Sequence, residues 1–173
     1  MKKNIIPYAI KYYLPFLSKF KNFFKHKNEI SKPKIATSRY SYAVWLRHLL
    51  ILKKKGVFFN PKIIAELGPG DSLGMGLMSL LTGSQKYFAL DTIKQTSFSS
   101  NLELLLELKN LLLSKSDIPN DSEFPRVYPR LDDYSFPSNL FSSDILNELY
   151  LEKRVKEIER SLLEDESSND NNL

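Results

Sequence analysis

No cysteine occurs among the 173 residues, and His26 and His48 are the only histidines. The first absence removes disulfides, thiolate metal sites and thiol nucleophiles together, and the second leaves too few imidazoles for a metal cluster. Also missing is any uncharged apolar stretch near the roughly 20 residues that a membrane-spanning helix needs. Acidic groups are scarce in one half only. Residues 1–62 carry 15 of the 25 lysines and arginines and Glu29 alone among the acids, a balance of +14. Residues 63–173 hold the other 10 bases and 19 acids, a balance of −9, so the net +5 conceals two unlike halves. An apolar share of 42% argues against wholesale disorder, and the length suits one domain with a real core. A chain without cysteine fits a cytoplasmic setting.

Residues 1–37 read as a basic, aromatic, partly helical extension and linker. Lys2, Lys3, Lys11, Lys19, Lys21, Lys25 and Lys27 are interleaved with apolar and aromatic residues such as Ile5, Tyr8, Tyr12, Phe16, Phe20 and Phe24. Pro7 and Pro15 limit its regularity. Lys11 and Pro15 also interrupt the apolar core that a secretory signal peptide would need. Two readings stand for residues 1–27. Attachment to an anionic membrane face is one, since each lysine near such a surface contributes about 1 kcal/mol. Packing of the aromatic side on its own domain or a second subunit is the other. A nucleic-acid partner ranks below both, because the acidic second half opposes it.

Residues 30–37 read as a linker broken by Pro33. From 38 to 55, Tyr42, Trp45, Leu46, Leu49, Leu50 and Leu52 recur at helical spacing, and Gly56 is a suitable stop. A strand is expected over 62–67. The helix after it, capped by Ser72 or Asp71, carries Leu73, Leu77, Leu80 and Leu81 and halts at Gly83. Residues 87–90 form a second apolar run, which completes a βαβ unit within a cofactor-binding region spanning 38–115. Ser100 and Glu103 suggest a capping box for a helix to about residue 113, with Leu102, Leu105, Leu106, Leu108 and Leu112 on its apolar face. Residues 116–143 contain four prolines and read as an irregular excursion with a short strand at 126–128. Helical periodicity returns over 144–166 through Ile145, Leu149, Val155, Ile158 and Leu162, and 167–173 reads as a disordered tail. The fold class is thus α/β: a partial Rossmann-like parallel sheet with a basic N-terminal extension and a C-terminal helix.

Chemistry concentrates where the first strand ends. In Glu66-Leu67-Gly68-Pro69-Gly70-Asp71-Ser72-Leu73-Gly74 an acidic strand end opens into closely spaced glycines. Such a turn exposes backbone N–H groups at the strand's carboxyl end, and glycine tolerates the positive φ it demands. Asp91, at the end of the second strand, is placed to accept hydrogen bonds from two ribose hydroxyls. Gly68, Gly70 and Gly74 also allow a dinucleotide reading. Glu66 and Asp71 count against it, because carboxylates beside the glycines repel a pyrophosphate and attract a sulfonium and an α-amino group.

At these residues the chain resembles the class I S-adenosylmethionine-dependent methyltransferases. Their first motif is matched by Glu66-Leu67-Gly68-Pro69-Gly70, and their second landmark by Asp91 in Phe88-Ala89-Leu90-Asp91. Ser72 stands where the commoner motif has a third glycine, with Gly74 two residues later. The resemblance implies S-adenosylmethionine as cofactor, with Gly68 and Gly70 against its methionine part. Glu66 would reach its amino group and Asp91 its ribose; Pro69, Asp71 and Ser72 complete the candidate cofactor-binding set. Tyr40, Trp45 and Arg47 invite a reading as a lid, although a core Trp with a surface Arg is the simpler account.

A full fold of this class alternates about seven strands with helices, whereas two are evident here. Nor is there an Asp/Asn-Pro-Pro-aromatic motif to orient a substrate amine. The chain is therefore expected to be truncated or completed by a second polypeptide. If catalytic, it would methylate a small molecule or glycan without a metal, since the sulfonium is already a good leaving group. Asp132 and Asp133 are candidate bases by elimination only. The alternatives are a non-catalytic cofactor-binding remnant or a membrane-associated interaction protein, with an NAD(P)-binding protein behind them.

Overall fold

The computed structural model describes residues 34–57, 61–92 and 96–170. The lysine-rich stretch 1–27, with its membrane reading, lies outside them, as do residues 171–173 of the expected tail. Helix α1 spans Lys34–Lys54. Residues 34–37 are thus helix rather than linker. Tyr42, Trp45, Leu46 and Leu49 form its buried face. Gly56, at φ 66°, closes the helix. Val57 N donates to Leu52 O at 2.9 Å and Gly56 N to Lys53 O at 3.0 Å, the paired bonds that satisfy the last free carbonyls.

Strands β1 (Ile63–Leu67) and β2 (Lys86–Leu90) pair in parallel, from Ile63 opposite Lys86 to Leu67 opposite Leu90. Helix α2 (Gly74–Leu81) links them and buries Leu77, Met78 and Leu81. The protein is thus mixed α/β with a two-stranded parallel sheet among the described residues. Two glycines let α2 approach its neighbours closely. A Cβ on Gly74 would run into the Ser41 side chain of α1, and one on Gly76 into the Tyr87 ring of β2.

Helix α3 (Phe98–Leu113) begins earlier than the capping-box reading placed it. Ser97 is the cap: its backbone is extended, and its Oγ accepts a hydrogen bond from Ser100 N at 3.3 Å. Leu104, Leu105, Leu108 and Leu112 point into the core, while Leu106 is exposed. The C-terminal helix, α4, spans Glu148–Asp170. It starts four residues later than the periodicity suggested, where Asn147 Oδ1 accepts from Leu149 N at 2.9 Å. It also continues through residues 167–170, which read as tail. Leu151, Val155 and Ile158 bury its inner face, and Leu149 faces solvent.

Between α3 and α4 the chain is irregular apart from a 3₁₀ turn at Ser138–Leu140. Residues 126–128 form no strand: Val127 N closes a turn on Phe124 O at 3.1 Å, and no neighbouring strand accompanies it. Arg47 of α1 organises this segment. Its guanidinium is completely buried and donates to Pro119 O (2.6 Å), Val127 O (2.7 Å), Pro129 O (3.4 Å) and Asp121 Oδ1 (3.0 Å). The same group stacks 5.0 Å from the Tyr134 ring centroid. Arg47 is therefore a buried clamp and not a surface residue, because the loop brings it backbone carbonyls that would otherwise be buried unpaired. Tyr42 adds a second tie, its hydroxyl donating to Ser116 O at 2.6 Å.

Helix α2 lies against the sheet, and α1, α3 and α4 gather around α2. The sheet's opposite face carries Ile63, Leu67, Phe88 and Leu90, all exposed. Leu67 is 82% exposed, an unusual state for a parallel strand, whose two faces are ordinarily both covered.

Candidate functional site

The sheet geometry brings Glu66 and Asp91 to the same end of the molecule, on either side of the glycine turn. Gly68 and Gly70 have φ of 69° and 73°, in the left-handed region that favours glycine. Apart from each glycine and its two chain neighbours, no heavy atom lies within 4 Å of where a Cβ on either would stand. The turn therefore presents bare backbone with open space above it. Gly68 N extends the strand ladder by donating to Leu90 O at 2.8 Å.

Asp91 is exposed just past β2. Its Oδ2 accepts from Gly70 N at 3.1 Å and its Oδ1 from Thr92 N at 2.6 Å. The turn and the second strand end are thus coupled through one carboxylate. Thr92 Oγ1 also donates to Asp91 Oδ1, at 3.4 Å. Glu66 is half-buried at the end of β1, and its Oε2 accepts from the Tyr87 hydroxyl at 2.6 Å. Burial, followed by the Glu66 carboxylate, pushes the Tyr87 phenol above its ordinary value, so it stays a donor.

The remaining turn residues are placed less directly. Pro69 is half-buried between the two glycines, and Asp71 is exposed. Neither Ser72 nor Asp71 caps α2 as expected. Leu73 holds the cap position, without a side-chain cap bond of its own. Ser72 Oγ accepts from Gly74 N at 3.2 Å, and Asn101 Oδ1, reaching across from α3, accepts from Leu73 N at 3.3 Å. The helix start is satisfied partly by a residue distant in sequence. Asn101, Tyr87 and Gly76 are the residues near the turn that sequence reasoning missed. A buried polar Asn101 on a leucine-rich helix face is a faint signal for the first; the other two needed the packing.

Comparison with protein families, curated proteins and solved structures returned no match.

Tyr40, Trp45 and Arg47 form no lid over the turn, and Trp45 is a core residue, as the simpler account had it. Trp45 Nε1 donates to Thr82 Oγ1 at 2.9 Å, Arg47 serves the 119–134 loop, and Tyr40 meets Phe124 edge to face with ring centroids 5.7 Å apart. The candidate bases face other partners. Asp132 pairs with Lys54 at 3.2 Å. Asp133 accepts from Ser135 N at 2.8 Å and Ser135 Oγ at 2.7 Å, which hold its carboxyl below the usual range and make it a weaker base. Among the described residues no cluster of three His, Asp or Glu side chains is arranged to hold a metal, and no helix is long and apolar enough to cross a membrane.

Proposed function

We propose that this chain binds S-adenosylmethionine at the Glu66 to Asp91 turn and forms the cofactor-binding part of a methyltransferase of class I type. The observation that carries this reading is the turn: two positive-φ glycines under open space, framed by acidic strand ends, with Asp91 hydrogen-bonded to Gly70 N. A side chain at Gly68 or Gly70 would fill the space the ligand needs. The charge pattern supports a cationic ligand, since Glu66, Asp71 and Asp91 attract an ammonium and a sulfonium and repel phosphate.

In this reading Gly68 and Gly70 carry the methionine part, Glu66 the amino group and Asp91 the ribose, with Pro69, Asp71 and Ser72 shaping the turn. When bound, the cofactor supplies an electrophilic methyl group. The protein's contribution is then proximity and orientation. The acceptor is a small molecule or glycan. The bare sheet face at Ile63, Leu67, Phe88 and Leu90 supports completion by further polypeptide, because a doubly wound sheet carries cover on both sides.

Calorimetric titration with S-adenosylmethionine and S-adenosylhomocysteine tests the reading. Wild type should bind both. Gly68→Asp, which puts a side chain at φ 69° into the ligand's space, should abolish binding, and Asp91→Ala should weaken it at least about tenfold. Absence of binding by wild type would sink the assignment, and binding that survives both substitutions would move the site elsewhere.

A further inference from the structure

We propose that Tyr87, seated against Gly76, is a positioning residue that aims Glu66 at the cofactor's α-amino group. The inference rests on the cofactor reading above and adds residues that neither motif contains.

Three elements of the βαβ unit meet at one bond. The parallel register sets Ile64 opposite Tyr87 and Glu66 opposite Ala89, so Tyr87 and Glu66 share the sheet face that α2 covers. A side chain as long as tyrosine spans that diagonal. Its hydroxyl donates to Glu66 Oε2 at 2.6 Å, a short charge-assisted bond. From above, the ring is received by α2 at Gly76, where a Cβ would overlap ring atoms Cδ1, Cε1 and Cζ. A glycine within an eight-residue helix weakens it, so its place opposite this ring has a packing reason.

The consequence for Glu66 is orientation. A glutamate has three side-chain torsions to order, and Tyr87 is its one hydrogen-bond partner among the described residues. Engagement of one carboxylate oxygen leaves the other for a ligand ammonium. Because the half-buried phenol, raised by burial and by Glu66, does not ionise in the physiological range, it never repels the carboxylate it holds.

The test exploits two ligands that differ in the amino acid part. S-adenosylmethionine carries the α-amino group, and 5′-methylthioadenosine lacks it. Tyr87→Phe, nearly isosteric and checked for folding by circular dichroism, should weaken S-adenosylmethionine by about tenfold or more and 5′-methylthioadenosine by less than about twofold. Gly76→Ala, which displaces the ring, should lose the same discrimination. In a Glu66→Gln background, Tyr87→Phe should add less than about twofold. Equal weakening of both ligands, or no weakening of either, would overturn the positioning role while leaving the cofactor site intact. A wild-type protein that binds neither ligand would instead overturn the cofactor reading, and the role of Tyr87 with it.

Discussion

Replacing Arg47 by methionine removes the charge at the junction of α1 and the 119–134 loop while keeping most of the side-chain volume. The guanidinium makes four hydrogen bonds, two of them to carbonyls at 2.6 and 2.7 Å, and is shielded from water entirely. Each bond from a charged donor is worth about 1.5–3 kcal/mol, but their sum overstates the loss because freed carbonyls recover water when the loop opens. The better guide is removal of one partner from a buried charged network, about 3–5 kcal/mol. One feature moves the expectation to the lower end: Nε of Arg47 is buried without a partner, and methionine abolishes that orphan donor. We therefore expect a loss of about 3 kcal/mol, which for a chain of this size lowers Tm by about 6–12 °C. Urea denaturation followed by far-UV circular dichroism and by Trp45 fluorescence measures it. Arg47→Lys should recover under half of the loss, since one ammonium cannot reach all four acceptors. A loss below about 1 kcal/mol for Arg47→Met would refute the reasoning, showing that the loop carbonyls do not depend on this group.

Two further outcomes follow from packing and charge. Gly74→Ala drives a methyl into Ser41 and should destabilise by about 1–3 kcal/mol; Ser41→Gly in the same chain should recover most of it, and failure of that rescue in a denaturation series would place the strain elsewhere. Arg39 grips Glu123 through two bonds of 2.6 Å, and the Arg39 hydrogen bond holds the Glu123 carboxyl below its ordinary value of 4.5. A depressed carboxyl contributes stability above its unfolded value and loses it as pH falls through the folded one. Glu123→Gln should therefore be less stable than wild type at neutral pH, with the gap closing below about pH 4. A gap that stays constant down to about pH 2 would show that the pair contributes through packing and not charge.

The elements with strong periodicity were legible before any coordinates. Tyr42, Trp45, Leu46 and Leu49 face inward as their spacing implies, and Gly56 ends α1 where a positive φ was needed. The parallel βαβ unit was legible too, because two apolar runs separated by a short amphipathic helix have few other ways to pack. Helix ends were less so. Caps are local competitions among similar residues: Ser97, Ser99 and Ser100 lie within four positions, and Ser97 alone has the extended backbone that caps α3. The acidic end of α4 read as tail because its composition is polar, yet its backbone stays helical to Asp170. Arg47 was misplaced because a guanidinium belongs in water unless a distant loop supplies acceptors, and no short-range pattern announces them.

By itself the sequence determined the turn: Glu66, Gly68, Gly70 and Asp91 are tied to strand ends by apolar runs, and local sterics reserve positive φ for glycine. Tertiary structure alone decided what holds those residues. Asp91 meets Gly70 N, Asn101 meets Leu73 N, and Tyr87 meets Glu66 because parallel pairing and helix packing join positions about 20 to 28 residues apart. The same packing left one sheet face bare, a fact about which surfaces meet and not about which residues are apolar.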